Sequence, residues 1–235
     1  SGYGPVRVLV PMVSGLEEVR TVRAMLEASI AELRAEGREI APKVPLGAMI
    51  EVPSAALALP TFIGLTDFLA IGSNDLVQYL LAADRTNEAL DSLFTPLHPA
   101  VLRVLHEVIK AANRRGIPLT LCGEIAAEPT LVPLLLALGL GELSMHPSHL
   151  LEVRQAIRGC DLASLRAAAP ALLRARNRAG IERWVAAHRV QRAQNGAQIA
   201  RVSHWVQRRP QAPLHSLGPP PALPHHRRQP LRTFF

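Results

Sequence analysis

Two carboxylates and a thiol carry the chemistry that this sequence advertises. Glu51 follows the apolar run Ala48-Met49-Ile50 and precedes Val52-Pro53. A carboxylate beside a buried strand is costly unless it is paired or bound to a metal. Its competing use is to cap the helix that Pro53 opens. Asp75, in Ser73-Asn74-Asp75 before Leu76, has a similar rival, because that spelling also starts helices well. Two oxygen ligands at adjacent strand ends suit Mg²⁺, which takes hard donors and completes its shell with water and substrate phosphate. Asn74 and Arg85 would then be donors for phosphate oxygens, with pairing of Arg85 to Asp84 or Glu88 as the alternative. Cys122-Gly123-Glu124 adds a thiol that is either an inert core residue or a group able to donate and accept a proton beside a pocket. Gly123 would let a ligand approach the backbone there. Cys160 has no such setting, and no role is assigned to it.

These residues need elements to hold them, and the apolar periodicity supplies a repeating pattern of strand then helix. Val6 to Met12 reads as a strand. Leu16 to Leu33 has helical spacing and is closed by Gly37. Leu46 to Val52 is the next strand, with Pro53 opening a helix over Ser54 to Leu59, and Asp67 to Ile71 is the third. A short helix runs from Asn74-Asp75 to Leu81, and a longer one from His98 to Arg115 stops at Gly116. Ile117 to Cys122, a helix over Pro129 to Leu138, a very short strand from Glu142 to Met145 and a helix over Leu150 to Ile157 complete the series. Five strands alternating with helices require a parallel sheet with right-handed crossovers. Glu51, Asn74-Asp75 and Cys122 each fall at the C-terminal end of a different strand, the place where barrel enzymes gather their chemistry. The expected fold is therefore α/β, the C-terminal portion of a (β/α)8 TIM barrel with about five βα units and an incomplete wall.

The spelling of these segments resembles a known family. Gly47-Ala48-Met49-Ile50-Glu51-Val52-Pro53-Ser54-Ala55-Ala56, Ile71-Gly72-Ser73-Asn74-Asp75-Leu76-Val77-Gln78-Tyr79, Ala83-Asp84-Arg85, His98-Pro99-Ala100-Val101-Leu102 and Leu121-Cys122-Gly123-Glu124 are similar to the phosphoenolpyruvate-binding barrel of enzyme I. Enzyme I is the phosphoenolpyruvate–protein phosphotransferase of the bacterial sugar phosphotransferase system. The resemblance covers about residues 5–160 and is closer than that to the pyruvate phosphate dikinases and phosphoenolpyruvate synthases, which share the Glu and Asn-Asp motifs. It implies that Glu51 and Asp75 hold Mg²⁺ against phosphoenolpyruvate, that Asn74, Arg85 and Asp75 contact the substrate, and that Cys122 protonates the enolpyruvate carbon. It also implies a homodimer formed through the barrel and a phosphocarrier protein as partner, engaged by domains that precede the matching segment. Ala127-Glu128 replaces a usual Gly-Asp, and Val77 a usual Thr.

Composition agrees with an α/β core: 49% of the 235 residues are apolar but only 4% aromatic, so Leu, Val, Ile and Ala must fill the interior. Two cysteines fit a reduced, cytoplasmic setting better than a disulfide scaffold. The apolar run Leu131 to Leu140 falls short of the roughly 20 residues that a membrane span requires. The net charge of +7 is unevenly placed. Residues 175–235 hold 11 Arg and one acidic residue, Glu182, which leaves 1–174 at −3. We therefore expect two parts, a partial phosphoenolpyruvate-binding barrel over 1–174 and an Arg/Pro/His-rich tail over 175–235. The tail should be helical over about 176–207 and disordered beyond. Its composition, without Lys, looks like GC-rich DNA read in an unselected frame. A nucleic-acid-binding arm is disfavoured by the sparse aromatic interleaving of two Trp and two terminal Phe. The start at Ser1-Gly2 suggests a piece of something longer. In that case a non-catalytic interaction module is the alternative to a phosphotransferase.

Overall fold

The computed structural model describes residues 6–90 and 92–189. Five parallel strands, β1 (Val8–Val10), β2 (Leu46–Ile50), β3 (Phe68–Gly72), β4 (Leu119–Cys122) and β5 (Glu142–Leu143), lie side by side in strictly sequential order. The register pairs Ala48 with Leu69 and Gly72 with Cys122, so the C-terminal ends of β2, β3 and β4 finish at one level. β2 and β3 are buried along almost their whole length. This is why their sequences read as continuous apolar runs and not as alternation.

Helices follow the strands where periodicity places them. α1 (Leu16–Ala35) follows β1, and α2 (Pro53–Phe62) follows β2 with Pro53 in its first turn. α3 (Ser73–Leu81) springs directly from β3. α4 (Pro99–Arg115) is capped at its start by His98, whose Nδ1 accepts from the Ala100 N–H at 3.1 Å, and ends on Gly116 at φ 63°. The long Pro129–Leu138 helix divides into a short 3₁₀ turn and α6 (Val132–Ala137), preceded by a single helical turn, α5 (Glu124–Ala127). α7 (Leu150–Arg158) follows β5.

At the N-terminal ends of the strands the polar groups are structural. Asp67, just before β3, accepts from the Leu46 N–H at 2.9 Å and pairs with Arg23 at 3.3 Å and with Lys43. Burial raises its carboxyl pKa, but the hydrogen bonds from Lys43, the Leu46 N–H and Arg23 outweigh that and hold it below the usual carboxylate range.

Two further helices follow α7. α8 (Leu162–Leu173) packs against α6, and α9 (Arg178–Ala187) against α8. Leu172, Ile181, Trp184 and Val185 share one core with Ile50, Ile71 and Leu121. The compact core accordingly continues beyond residue 174 through α9. The reason is burial: Trp184 is 8% exposed, its Nε1–H donates to the Ala168 carbonyl at 3.2 Å, and its ring stacks on His188 with centroids 4.0 Å apart. Basic composition marks the surface of α9 and hides its apolar face. Of the helix expected over 176–207, the described residues show α9; residues 190–207 with Trp205, and the segment 208–235 for which disorder was expected, lie outside the described residues. Among the described residues no helix is long and apolar enough to cross a membrane. Trp184→Ala should lower stability by about 3–5 kcal/mol, as for other buried aromatic truncations. Urea unfolding followed by far-UV circular dichroism checks this, and an unchanged midpoint would separate α9 from the cooperative unit.

Candidate active site

Glu51 is the first residue past β2 and only 4% exposed. It does not cap α2, whose N-cap is Val52 without a side-chain hydrogen bond. Its Oε1 instead accepts from the Met12 N–H at 2.7 Å. Met12 follows β1 in the left-handed region at φ 54°, an uncommon conformation for a residue with a side chain. Glu51 has no cationic partner among the described ion pairs, so its charge is buried with one backbone donor.

Space for that carboxylate comes from Gly72, the last residue of β3. A Cβ there would collide with Glu51 Oε2 and lie 2.9 Å from Glu51 Cβ. The next three residues open α3, and they do not cap it either: the N-cap is Gly72, with no side-chain capping bond. Ser73 and Asn74 reach across to β4. The Ser73 hydroxyl, 0% exposed, donates to the Cys122 carbonyl at 2.6 Å. Asn74 Oδ1 accepts from the Glu124 N–H at 3.0 Å, leaving its Nδ2 group as the end that can donate outward. Asp75 is partly buried in the first turn of α3.

Cys122 ends β4, half-buried, with its thiol donating to the Ile71 carbonyl at 3.3 Å. Burial pushes its pKa up, the charge of Glu51 adds to that, and a smaller contribution comes from Asp75; one backbone hydrogen bond acts the other way. The thiol therefore keeps its proton through neutral pH. Gly123, at φ 100°, has no room for a side chain, since a Cβ would press on Ser73 Oγ and stand 2.7 Å from Asn74 Oδ1. On the side where a Cβ would stand, the space is filled by the protein's own side chains. A groove of about 210 Å³ opens next to Asn74, walled by Val77, Phe94 and Ile125 with Glu124 and Glu128 among its lining residues.

Of the expected residues, Glu51, Asn74, Asp75 and Cys122 meet at three neighbouring strand ends. Arg85 does not join them. It is exposed on the loop after α3, where its N–H donates to Gln78 Oε1 at 3.3 Å, and Asp84 is occupied by Thr86. Among the described residues no group of three or more His, Cys, Asp or Glu forms a metal cage. A cation would have two carboxylates and would draw the remainder of its shell from water and a ligand, a donor set that fits Mg²⁺.

Residues 1–162 match the family described as PEP-utilising enzyme, PEP-binding domain. The chain belongs to this family. Curated relatives carry the name phosphoenolpyruvate-protein phosphotransferase. That of Cupriavidus necator is 48% identical over 157 residues, 67% of this chain and 27% of the relative. Those of Staphylococcus carnosus and Priestia megaterium are 42% identical over 161 residues and 40% over 165, covering 68% and 70% of this chain and 28% and 29% of theirs. The chain thus spans little more than a quarter of each. Among solved structures, a citrate lyase from Burkholderia xenovorans LB400 aligns at TM-score 0.49 and 18% identity, over 86% of this chain and 65% of that one.

Met12, Gly72 and Ser73 join the site through contacts that their residue types do not announce. Met12 acts through its backbone alone and Ser73 through a contact across strands, so neither side-chain type nor spacing marked them. Positive φ at Met12 has no sequence signature. Gly72 could have been noticed as a small residue immediately before a polar strand end. Gly72→Ala should force Glu51 aside, cost about 1–3 kcal/mol as overpacking does, and speed hydrogen exchange of the Met12 amide. Unchanged stability together with a protected Met12 amide would show that Gly72 is not what admits the carboxylate.

Proposed function

We propose that this chain is the phosphoenolpyruvate-binding part of a phosphoenolpyruvate–protein phosphotransferase and forms the back portion of a (β/α)8 barrel. The observation that carries this reading is the meeting of Glu51, Asp75 and a protonated Cys122 at three adjacent parallel strand ends inside the segment that matches the family. Sequential strand order without reversal supports a barrel wall, because an open doubly wound sheet reverses order at its ligand crevice. Among the described residues β1 and β5 are the edges of the sheet, which supports association with further strands or a second copy. The phosphocarrier protein would be reached through parts of the relatives that this chain does not span.

Glu51 and Asp75 would hold Mg²⁺, and the bound cation would neutralise charge on the phosphate and carboxylate of phosphoenolpyruvate. Asn74 Nδ2 would donate to a phosphate oxygen. Arg85 would add a second donor once its loop folds over the strand ends. As the P–O bond to the enol oxygen breaks and a P–N bond to an acceptor histidine forms, the enol oxygen becomes the keto group of pyruvate. The methylene carbon takes the proton from Cys122 Sγ, and the thiolate left behind recovers a proton from water. The raised thiol pKa suits this role, because the group must keep its proton until the enolate appears.

Two outcomes test the reading. Purified chain with Mg²⁺, phosphoenolpyruvate and a separately supplied phosphorylatable domain should release pyruvate, and EDTA should stop it; bound substrate without any pyruvate would favour a binding module. Calorimetric titration should show that Glu51→Gln and Asp75→Asn each weaken Mg²⁺-dependent phosphoenolpyruvate binding by more than about tenfold, the loss of ~1.4 kcal/mol. Wild-type affinity in both variants would remove them from the metal site.

A further inference from the structure

We infer that Ser73 is a positioning residue for Cys122: its buried hydroxyl grips the Cys122 carbonyl and, with Asn74 on the Glu124 amide, fixes the turn that carries the thiol. The inference rests on the reading of Cys122 as proton donor, and its geometry is independent of any metal.

A serine that caps a helix does so from the position just before its first helical residue, by accepting from an N–H of the first turn. Ser73 occupies the first helical position of α3, and that helix has no side-chain cap. The hydroxyl crosses to the next strand at 2.6 Å and is fully buried there. A buried hydroxyl must find a partner, and the partner here is the peptide of the one thiol at the site. Three contacts from the four residues 71–74 converge on this junction: the Ile71 carbonyl accepts from the Cys122 thiol at 3.3 Å, the Ser73 hydroxyl donates to the Cys122 carbonyl, and Asn74 Oδ1 accepts from the Glu124 N–H at 3.0 Å. Between them lies Gly123 at φ 100°, with no space for a Cβ. A turn held on both sides of a left-handed glycine cannot rotate without breaking at least one of these bonds. Removing the hydroxyl would leave the Cys122 carbonyl without this donor and free the turn to swing the thiol away from β3.

Cys160 is a built-in reference. It lies after α7, where its thiol donates to the Ala156 carbonyl at 3.2 Å, remote in sequence from this junction and engaged only locally. The test is iodoacetamide labelling of the full chain in EDTA at one fixed pH, with the rates of Cys122 and Cys160 resolved by peptide mass spectrometry. In Ser73→Ala the ratio of Cys122 to Cys160 labelling should rise about three- to tenfold, the factor that corresponds to one ordinary buried hydrogen bond. Ser73→Thr keeps the hydroxyl and should return the wild-type ratio, which a general loosening of the fold would not do. A folded Ser73→Ala protein with the wild-type ratio overturns the proposal, and so does Ser73→Thr behaving like Ser73→Ala. Should Ser73→Ala fail to fold, NMR of the unaltered chain decides the matter. A slowly exchanging Ser73 hydroxyl proton near the Gly123 amide supports the clamp, and exchange at the rate of a free serine refutes it. Pyruvate release is assayed separately. A chain that shows the labelling shift but needs no Cys122 for pyruvate would retire the proton-donor reading and leave the clamp standing.

Discussion

The end of β3 is the constraint on which the rest of the site depends. Four consecutive residues there each serve a neighbour: the Ile71 carbonyl receives the Cys122 thiol, Gly72 yields its side-chain space to Glu51, Ser73 holds the Cys122 carbonyl, and Asn74 holds the Glu124 N–H. Parallel pairing brings β2 and β4 level on either side of β3, so one strand end can organise both flanks. The result is a compact set of groups in which the carboxylates act on the thiol. Burial alone would favour a protonated Cys122, and the nearby carboxylates strengthen that preference.

The two ends of the sheet divide their tasks. At the N-terminal end Asp67 is satisfied by Arg23, Lys43 and the Leu46 N–H and has its charge fully compensated. At the C-terminal end Glu51 has one backbone donor and no described cation. An uncompensated buried carboxylate is costly in a resting protein. A cation bound there, as in the proposed Mg²⁺ site, would supply the missing charge, and parallel βα barrels commonly place their chemistry at this end of the sheet.

Helices α8 and α9 enlarge the unit beyond the region that matches the PEP-binding domain family. The family match ends at 162, where α8 begins. Trp184 then anchors α9 by hydrogen bond and stacking while its arginines face outward. Composition counts residues without regard to face, so an amphipathic helix rich in Arg resembles a solvated tail until its apolar side is placed.

By itself the sequence determined the alternation of strands and helices, their order, and the identities of Glu51, Asn74, Asp75 and Cys122 as strand-end residues. These follow from local periodicity and from residue types that apolar strands do not tolerate without reason. It left open whether Glu51 and Asp75 merely capped helices, because capping and ligation call for the same residues at the same spacing. Only the tertiary structure decided this, by showing Glu51 bonded to Met12 across strands and α2 and α3 without side-chain caps. The roles of Met12, Gly72 and Ser73, and the reach of the core to Val185, depend on which residues meet from widely separated parts of the chain. No local pattern records such meetings, because they are set by strand register and helix packing and not by neighbours in sequence.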